Sequence, residues 1–306
     1  EMTSSLVGSE MCIRDRFVPN NNAKHLKQTV SQSILILVKG TSNMLFTNII
    51  EVIQDTIEGS DYSLRVHYLD EDADEVKEAV RMCREHKPMG ILFLGGNIQY
   101  FHEEFELVNV PCVLVTDRAD KLGFRNLASV STDDMAAAEM AVDYLFDHGH
   151  RDIAVIGGDM ALSSPSKYRK AGAKRSFIKH GCEFEEESYA VARFSYESAY
   201  NAMNRMLASQ RSITAVFAMS DVMAVGAMRA IFDAGLRVPE DISVIGFDGT
   251  LLADYYNPKI VTVCQGYEKI ARKSIDLLFG MIDLNKPATH ELVPFSLKNT
   301  ESVSSI

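Results

Sequence analysis

The sequence predicts a doubly wound α/β protein of two similar halves, on three observations. From Ser33 onward short apolar runs alternate with longer amphipathic stretches, the pattern of βαβ units around a parallel sheet buried on both faces. The series of runs starts afresh after Val130, which implies a second sheet built like the first. At 306 residues, 46% hydrophobic and 24% charged, the chain is long enough for two domains sharing a substantial core.

In chain order, the strands of the first half are expected at residues 34–38, 64–69, 90–94 and 113–116, and those of the second at 153–156, 215–217 and 243–247. The intervening stretches carry the helical period. Over 134–146, Ala138, Val142, Leu145 and Phe146 fall on one face. The helix 221–234 starts at Ser220-Asp221, read as an acidic N-cap, runs through Val225, Met228 and Ile231, and stops at Gly235 with Pro239 beyond it. A third helix, 267–281, presents Ile270, Leu277, Leu278 and Met281, and the strand 260–263 before it offers the chain a way back to the first half.

Composition narrows the function. A formal net charge of -11 repels phosphate, so any contact with DNA must be local rather than spread over the body of the chain. The five cysteines are odd in number, scattered and without a Cys-x-x-Cys pair, which fits reduced thiols in a cytosol better than disulfides or zinc. No apolar run approaches the roughly eighteen residues of a membrane helix, and no basic segment leads into an apolar stretch at the start. Residues 1–16 show no periodicity and are expected to lie outside the fold, as a non-native read-through or a disordered natural tail.

The common nucleophile and cofactor signatures are missing: there is no G-x-S-x-G elbow, no G-x-x-x-x-G-K-[ST] loop and no G-x-G-x-x-G fingerprint, so neither catalysis nor a cofactor is expected. His148-Gly149-His150, the one close histidine pair, has no Cys or carboxylate cluster to complete a metal site and is read as a structured turn. What remains are polar residues at the carboxyl ends of strands, where open α/β sheets bind ligands. Asp133, Asp221 and Asp248 hold three such ends. Asp133 and Asp221 each precede a helix, so capping explains either equally well, whereas Asp248 precedes Gly249-Thr250 and is harder to assign to a cap. Carboxylates together with a guanidinium suit a hydroxyl-rich ligand, because charge-assisted hydrogen bonds are strong and directional.

Four segments carry a family resemblance: 17–26 (FVPNNNAKHL), 144–154 (YLFDHGHRDIA), 235–248 (GLRVPEDISVIGFD) and 261–265 (VTVCQ). Together they resemble the lactose-repressor type (LacI/GalR) family of bacterial transcription regulators from Phe17 to about Ser302. The resemblance implies a periplasmic-binding-protein-like fold, two doubly wound parallel-sheet subdomains with a ligand cleft between them and three crossings of the chain. It implies a division into a hinge at 17–32, a first subdomain of 33–131 plus about 266–282, and a second of 132–265 plus about 283–302. Effector contacts are implied at Phe46, Asp133, Arg169, Phe194, Asp221, Asp248 and Gln265. Phe46 and Phe194 read equally well as core residues, whereas for Arg169 a solvated helical charge is the less favoured alternative.

Residues 17–28 resemble a hinge helix that enters the minor groove, with Leu26 as the apolar wedge, Lys24 and Lys27 near phosphates, and Asn20 and Ala23 in the same segment. No helix-turn-helix precedes Phe17 where the family carries one. Gly266 and Thr300 stand where the family commonly has Pro and Arg, and the loop 43–46 lacks the usual Pro-Phe. No heptad tail supports a tetramer. The expectation is therefore a cytoplasmic homodimer that senses a sugar or related polar small molecule and passes the signal to operator DNA. An exported solute-binding or chemoreceptor protein of the same fold is the alternative.

Overall fold

The computed structural model describes residues 32–41, 43–209 and 212–306, so the hinge positions Asn20, Ala23, Lys24, Leu26 and Lys27 lie outside the described residues. Two six-stranded sheets make up the described part. The first has the order β11-β5-β4-β3-β1-β2, from β1 (Ser33–Lys39), β2 (Ser63–Leu69), β3 (Gly90–Leu94), β4 (Cys112–Val115), β5 (Leu127–Ser131) and β11 (His290–Leu292). The second runs β12-β10-β9-β8-β6-β7, from β6 (Ile153–Gly157), β7 (Tyr189–Val191), β8 (Ala215–Ala218), β9 (Ser243–Asp248), β10 (Val261–Cys264) and β12 (Ser296–Lys298). Every pairing is parallel except that of β12 with β10.

The seven apolar runs expected as strands are strands. In β1, β3, β4, β6, β8 and β9 every residue is buried, because helices cover both faces of the sheet. The helices of the first half that bear on the site are α1 (Met44–Ile57), α2 (Glu75–His86) and α3 (Ile98–Glu104); those of the second are α4 (Asp134–Asp147), α5 (Ser164–Lys179), α6 (Tyr196–Ala208), α7 (Asp221–Asp233) and α8 (Leu251–Tyr255). Two helix pairs touch backbone to backbone. A Cβ on Gly172 of α5 would lie 2.1 Å from the Met135 carbonyl oxygen, and one on Gly226 of α7 2.3 Å from that of Tyr196.

The chain crosses between the sheets after β5, after β10 and after β11. The strand expected at 260–263 does not itself return to the first half: as β10 it pairs with β9, and the return follows at Gly266, whose φ of +68° turns the chain into α9 (Tyr267–Leu284). Helix α9 buries Ile270, Leu278 and Met281 against the first sheet, while Leu277 is only partly buried. The proposed division at 283 is also shifted. Residues 290–292, placed with the second half on the sequence, form β11 on the edge of the first sheet, and Val293 N–H continues that pairing by donating to the Ser131 carbonyl at 2.8 Å. A three-residue edge strand with half-exposed side chains leaves no apolar run to read.

The His148-Gly149-His150 turn has a structural task. Buried His150 donates from Nε2 to the Ser304 carbonyl at 3.0 Å and accepts at Nδ1 from the Thr214 hydroxyl at 3.1 Å, and Ile306 N–H donates to the His148 carbonyl at 3.0 Å. The turn thus fastens the segment 304–306 to the second half.

Candidate functional site

A cavity of about 400 Å³ lies between the carboxyl ends of the two sheets, lined from both halves. The first half contributes Lys39 at the end of β1, Phe46 on the first turn of α1, Glu71 beyond β2 and Thr116 beyond β4. Asn43 caps α1 by accepting from Leu45 N–H at 3.0 Å, which fixes the turn that presents Phe46. The second half contributes Arg169 on α5, Arg193 and Phe194 beyond β7, and Asp248 at the end of β9.

Arg169 is 4% exposed, so it is no solvated helical charge. Its Nε donates to Asp134 Oδ1 at 2.7 Å, its Nη1 to the Met219 carbonyl at 2.6 Å, and its guanidinium lies 3.7 Å from the Phe247 ring centroid. Nη1 is 4.0 Å from Asp248 Oδ1. Asp248 is itself buried: Oδ1 accepts from Gln265 Nε2 at 2.7 Å, whereas Asp248 Oδ2 and Gln265 Oε1 have no partner among the described residues. Burial holds the Asp248 carboxyl well above the usual carboxylate range, against the pull of Arg169. A partly satisfied buried carboxyl beside a guanidinium on a cavity lining is chemically suited to a ligand that brings its own hydrogen bonds.

The remaining expected contacts are placed differently. Asp221 is fully buried behind the wall: Oδ2 accepts from Thr250 N–H at 2.7 Å and the Thr250 hydroxyl at 2.8 Å, and Oδ1 from the Thr262 hydroxyl at 2.6 Å. It does not cap its helix either, since Ser220 does so by accepting from Met223 N–H at 3.1 Å. Burial pushes the Asp221 carboxyl up to about 6. Asp133 is the N-cap of α4, accepting from Ala136 N–H at 3.1 Å, and it is the neighbouring Asp134 that meets Arg169. Gln265 acts on the cavity through Asp248. The structure therefore brings Phe46, Arg169, Phe194 and Asp248 together on the cavity and leaves Asp133, Asp221 and Gln265 off its lining.

Sequence reasoning missed the charges of the first half. Lys39 ends β1 and Glu71 lies just beyond β2, the same positional signal that singles out Asp248. Glu71 Oε1 accepts from Phe194 N–H at 3.0 Å, and Arg193 pairs with Asp70, Glu71 and Asp72 across the mouth of the cleft. Asn97 Nδ2 donates to the Ala161 carbonyl at 3.2 Å, a second tie between the halves.

Residues 142–303 match the model of the periplasmic binding protein-like domain family. The chain is 33% identical over 295 residues to the HTH-type transcriptional regulator MalR of Clostridium butyricum, covering 95% of this chain and 87% of that protein. It is 32% identical to the "Probable HTH-type transcriptional repressor ExuR" of Bacillus subtilis strain 168, covering 95% and 85%. Among solved structures, the lac repressor dimer bound to operator and the anti-inducer ONPF superposes with a TM-score of 0.81 at 24% identity, over 94% of this chain and all of that one, a likeness of fold.

Proposed function

This chain belongs to the LacI family of transcriptional regulators, and on that premise we propose that it is the effector-binding and dimerisation core of such a regulator, taking a sugar or a related polar small molecule into its cleft. The observation that supports the ligand is Asp248, a cavity-lining residue beside the Arg169 guanidinium whose buried Oδ2 has no partner among the described residues. A carboxyl and a guanidinium about 4.0 Å apart can share adjacent hydroxyls of one ring, while Phe46 and Phe194 supply apolar surface for its faces. Signalling needs no chemistry. Effector binding favours one relative orientation of the halves, and in a homodimer that orientation decides whether paired hinge segments order on operator DNA. The reading includes a cytoplasmic location and no enzymatic activity; no helix among the described residues is long and apolar enough to cross a membrane. The exported solute-binding alternative would use the same cleft, but relatives named as regulators over 85–87% of their own length favour the regulator.

Calorimetry with a panel of neutral and acidic mono- and disaccharides tests the site. Arg169→Ala and Asp248→Ala are each expected to weaken the effector by about tenfold, the loss of one buried hydrogen bond. Unchanged affinity in both variants refutes the assignment.

A further inference from the structure

Among the described residues, each cation lining the cavity already has a carboxylate of its own. Arg169 has Asp134 at 2.7 Å, Arg193 has Asp72 at 3.0 Å and Glu71 at 3.2 Å, and Lys39 has Glu75 at 2.6 Å. Glu75 stands apart from the cleft proper, in the first turn of α2 and 1% exposed. Its two oxygens are both used. Oε2 takes the Lys39 ammonium and Oε1 accepts from Asn97 N–H at 2.5 Å. A Cβ on residue 96 would come within 3.3 Å of Oε1, so Gly96 leaves the carboxylate its room. The Lys39 ammonium also lies 4.8 Å from the Tyr100 ring centroid. A lysine at the cavity wall is thus held by a carboxylate from behind it.

We propose that Glu75 is a specificity-determining residue of the cavity: by holding the Lys39 ammonium it leaves the first half's share of the lining, among the described residues, without a free cation, so the site accepts uncharged polyhydroxylated ligands and rejects their carboxylated or phosphorylated counterparts. The inference rests on the cavity being a sugar-type effector site. An anionic ligand meets Glu71, Asp72 and Asp159 on the lining and can win Lys39 only by leaving Glu75 buried without its counter-charge. Specificity then comes from an internal ion pair as well as from contacts to the ligand.

The test is calorimetry of the chain, E75Q and the double variant K39M/E75Q with glucose, ribose, maltose, glucuronate, galacturonate and glucose 6-phosphate, with circular dichroism to check folding. The unmodified chain is expected to bind one neutral probe at least about tenfold more tightly than any anionic one. E75Q frees the ammonium and is expected to narrow that ratio by about tenfold or more, and K39M/E75Q to restore it. Tighter binding of an anionic probe by the unmodified chain overturns the proposal while leaving the cavity an effector site, and this comparison decides even where E75Q does not fold. An unchanged ratio in folded E75Q overturns it too. If no probe binds in a manner that depends on Arg169, the sugar-site reading fails and takes the proposal with it.

Discussion

Asp117, just beyond β4, is fully buried, and replacing it with Asn reverses sign with pH. Its Oδ1 accepts from Arg118 N–H at 2.7 Å while Oδ2 has no partner among the described residues. Burial, reinforced by the neighbouring Asp134 and Glu75 charges, moves its carboxyl from 3.8 to about 8. Between those values the folded chain holds a proton that the unfolded chain has released, so stability falls as pH rises, by about 1.4 kcal/mol per pH unit for this one group. Across the whole window the loss is on the order of 6 kcal/mol as an upper bound, complete near pH 8. Asp117→Asn keeps the acceptor for Arg118, cannot ionise, and carries a constant cost of about 1–3 kcal/mol for a buried amide N–H₂ without a partner. The variant is therefore expected to be the less stable protein near pH 4 and the more stable one near pH 8. The chain contains no Trp, so urea unfolding is followed by far-ultraviolet circular dichroism at intervals from pH 4 to 9. A stability difference that stays constant over that range would falsify the protonated Asp117.

Two further substitutions follow from the packing. Asp221→Asn keeps one acceptor oxygen where three donors converge, and is expected to cost about 2–4 kcal/mol in urea unfolding and to weaken the effector several-fold through the 248–250 loop; a variant with normal affinity contradicts this indirect role. Gly172→Ala drives a methyl group into the Met135 carbonyl oxygen at 2.1 Å, and the forced separation of α4 and α5 is expected to cost about 1–3 kcal/mol, read as a lowered melting temperature; an unshifted melt shows that the helices can part freely.

How much of this was legible depended on whether a feature left a run of residues or a single one. Continuous apolar runs gave the central strands, and the 3.6-residue period gave α4, α7 and α9, because both report burial of a whole face. Strands β7, β11 and β12 are three residues each at sheet edges, with side chains largely half-exposed or exposed, and nothing in their composition separates them from loop. Within the site, strand-end position found Asp248, and family resemblance found Phe46, Arg169 and Phe194. Neither could say that Asp134 rather than Asp133 meets Arg169, since one residue along the start of a helix turns the side chain by about 100°. Pairing across 36 residues, as between Lys39 and Glu75, leaves no local trace at all.

Backbone conformation at the cavity was the least legible feature, and it bears on what Asp221 does. Asp248 has φ +117° and Thr116 φ +69°, left-handed values that L side chains rarely adopt, each at the carboxyl end of a strand and each lining the cavity. A reader of the sequence would assign such a conformation to Gly249, and Gly249 does have φ +72°, but the residue before it is strained as well. Strain of about 1–3 kcal/mol at a non-glycine residue persists only where the surroundings over-determine it. Here they do: Gln265 N–H donates to the Asp248 carbonyl at 3.2 Å, Gln265 Nε2 holds its carboxyl, and Asp221 grips Thr250 two residues on by both backbone and hydroxyl. Asp221 and Gln265 therefore belong to the site as the means by which Asp248 is kept in its left-handed conformation on the cavity lining.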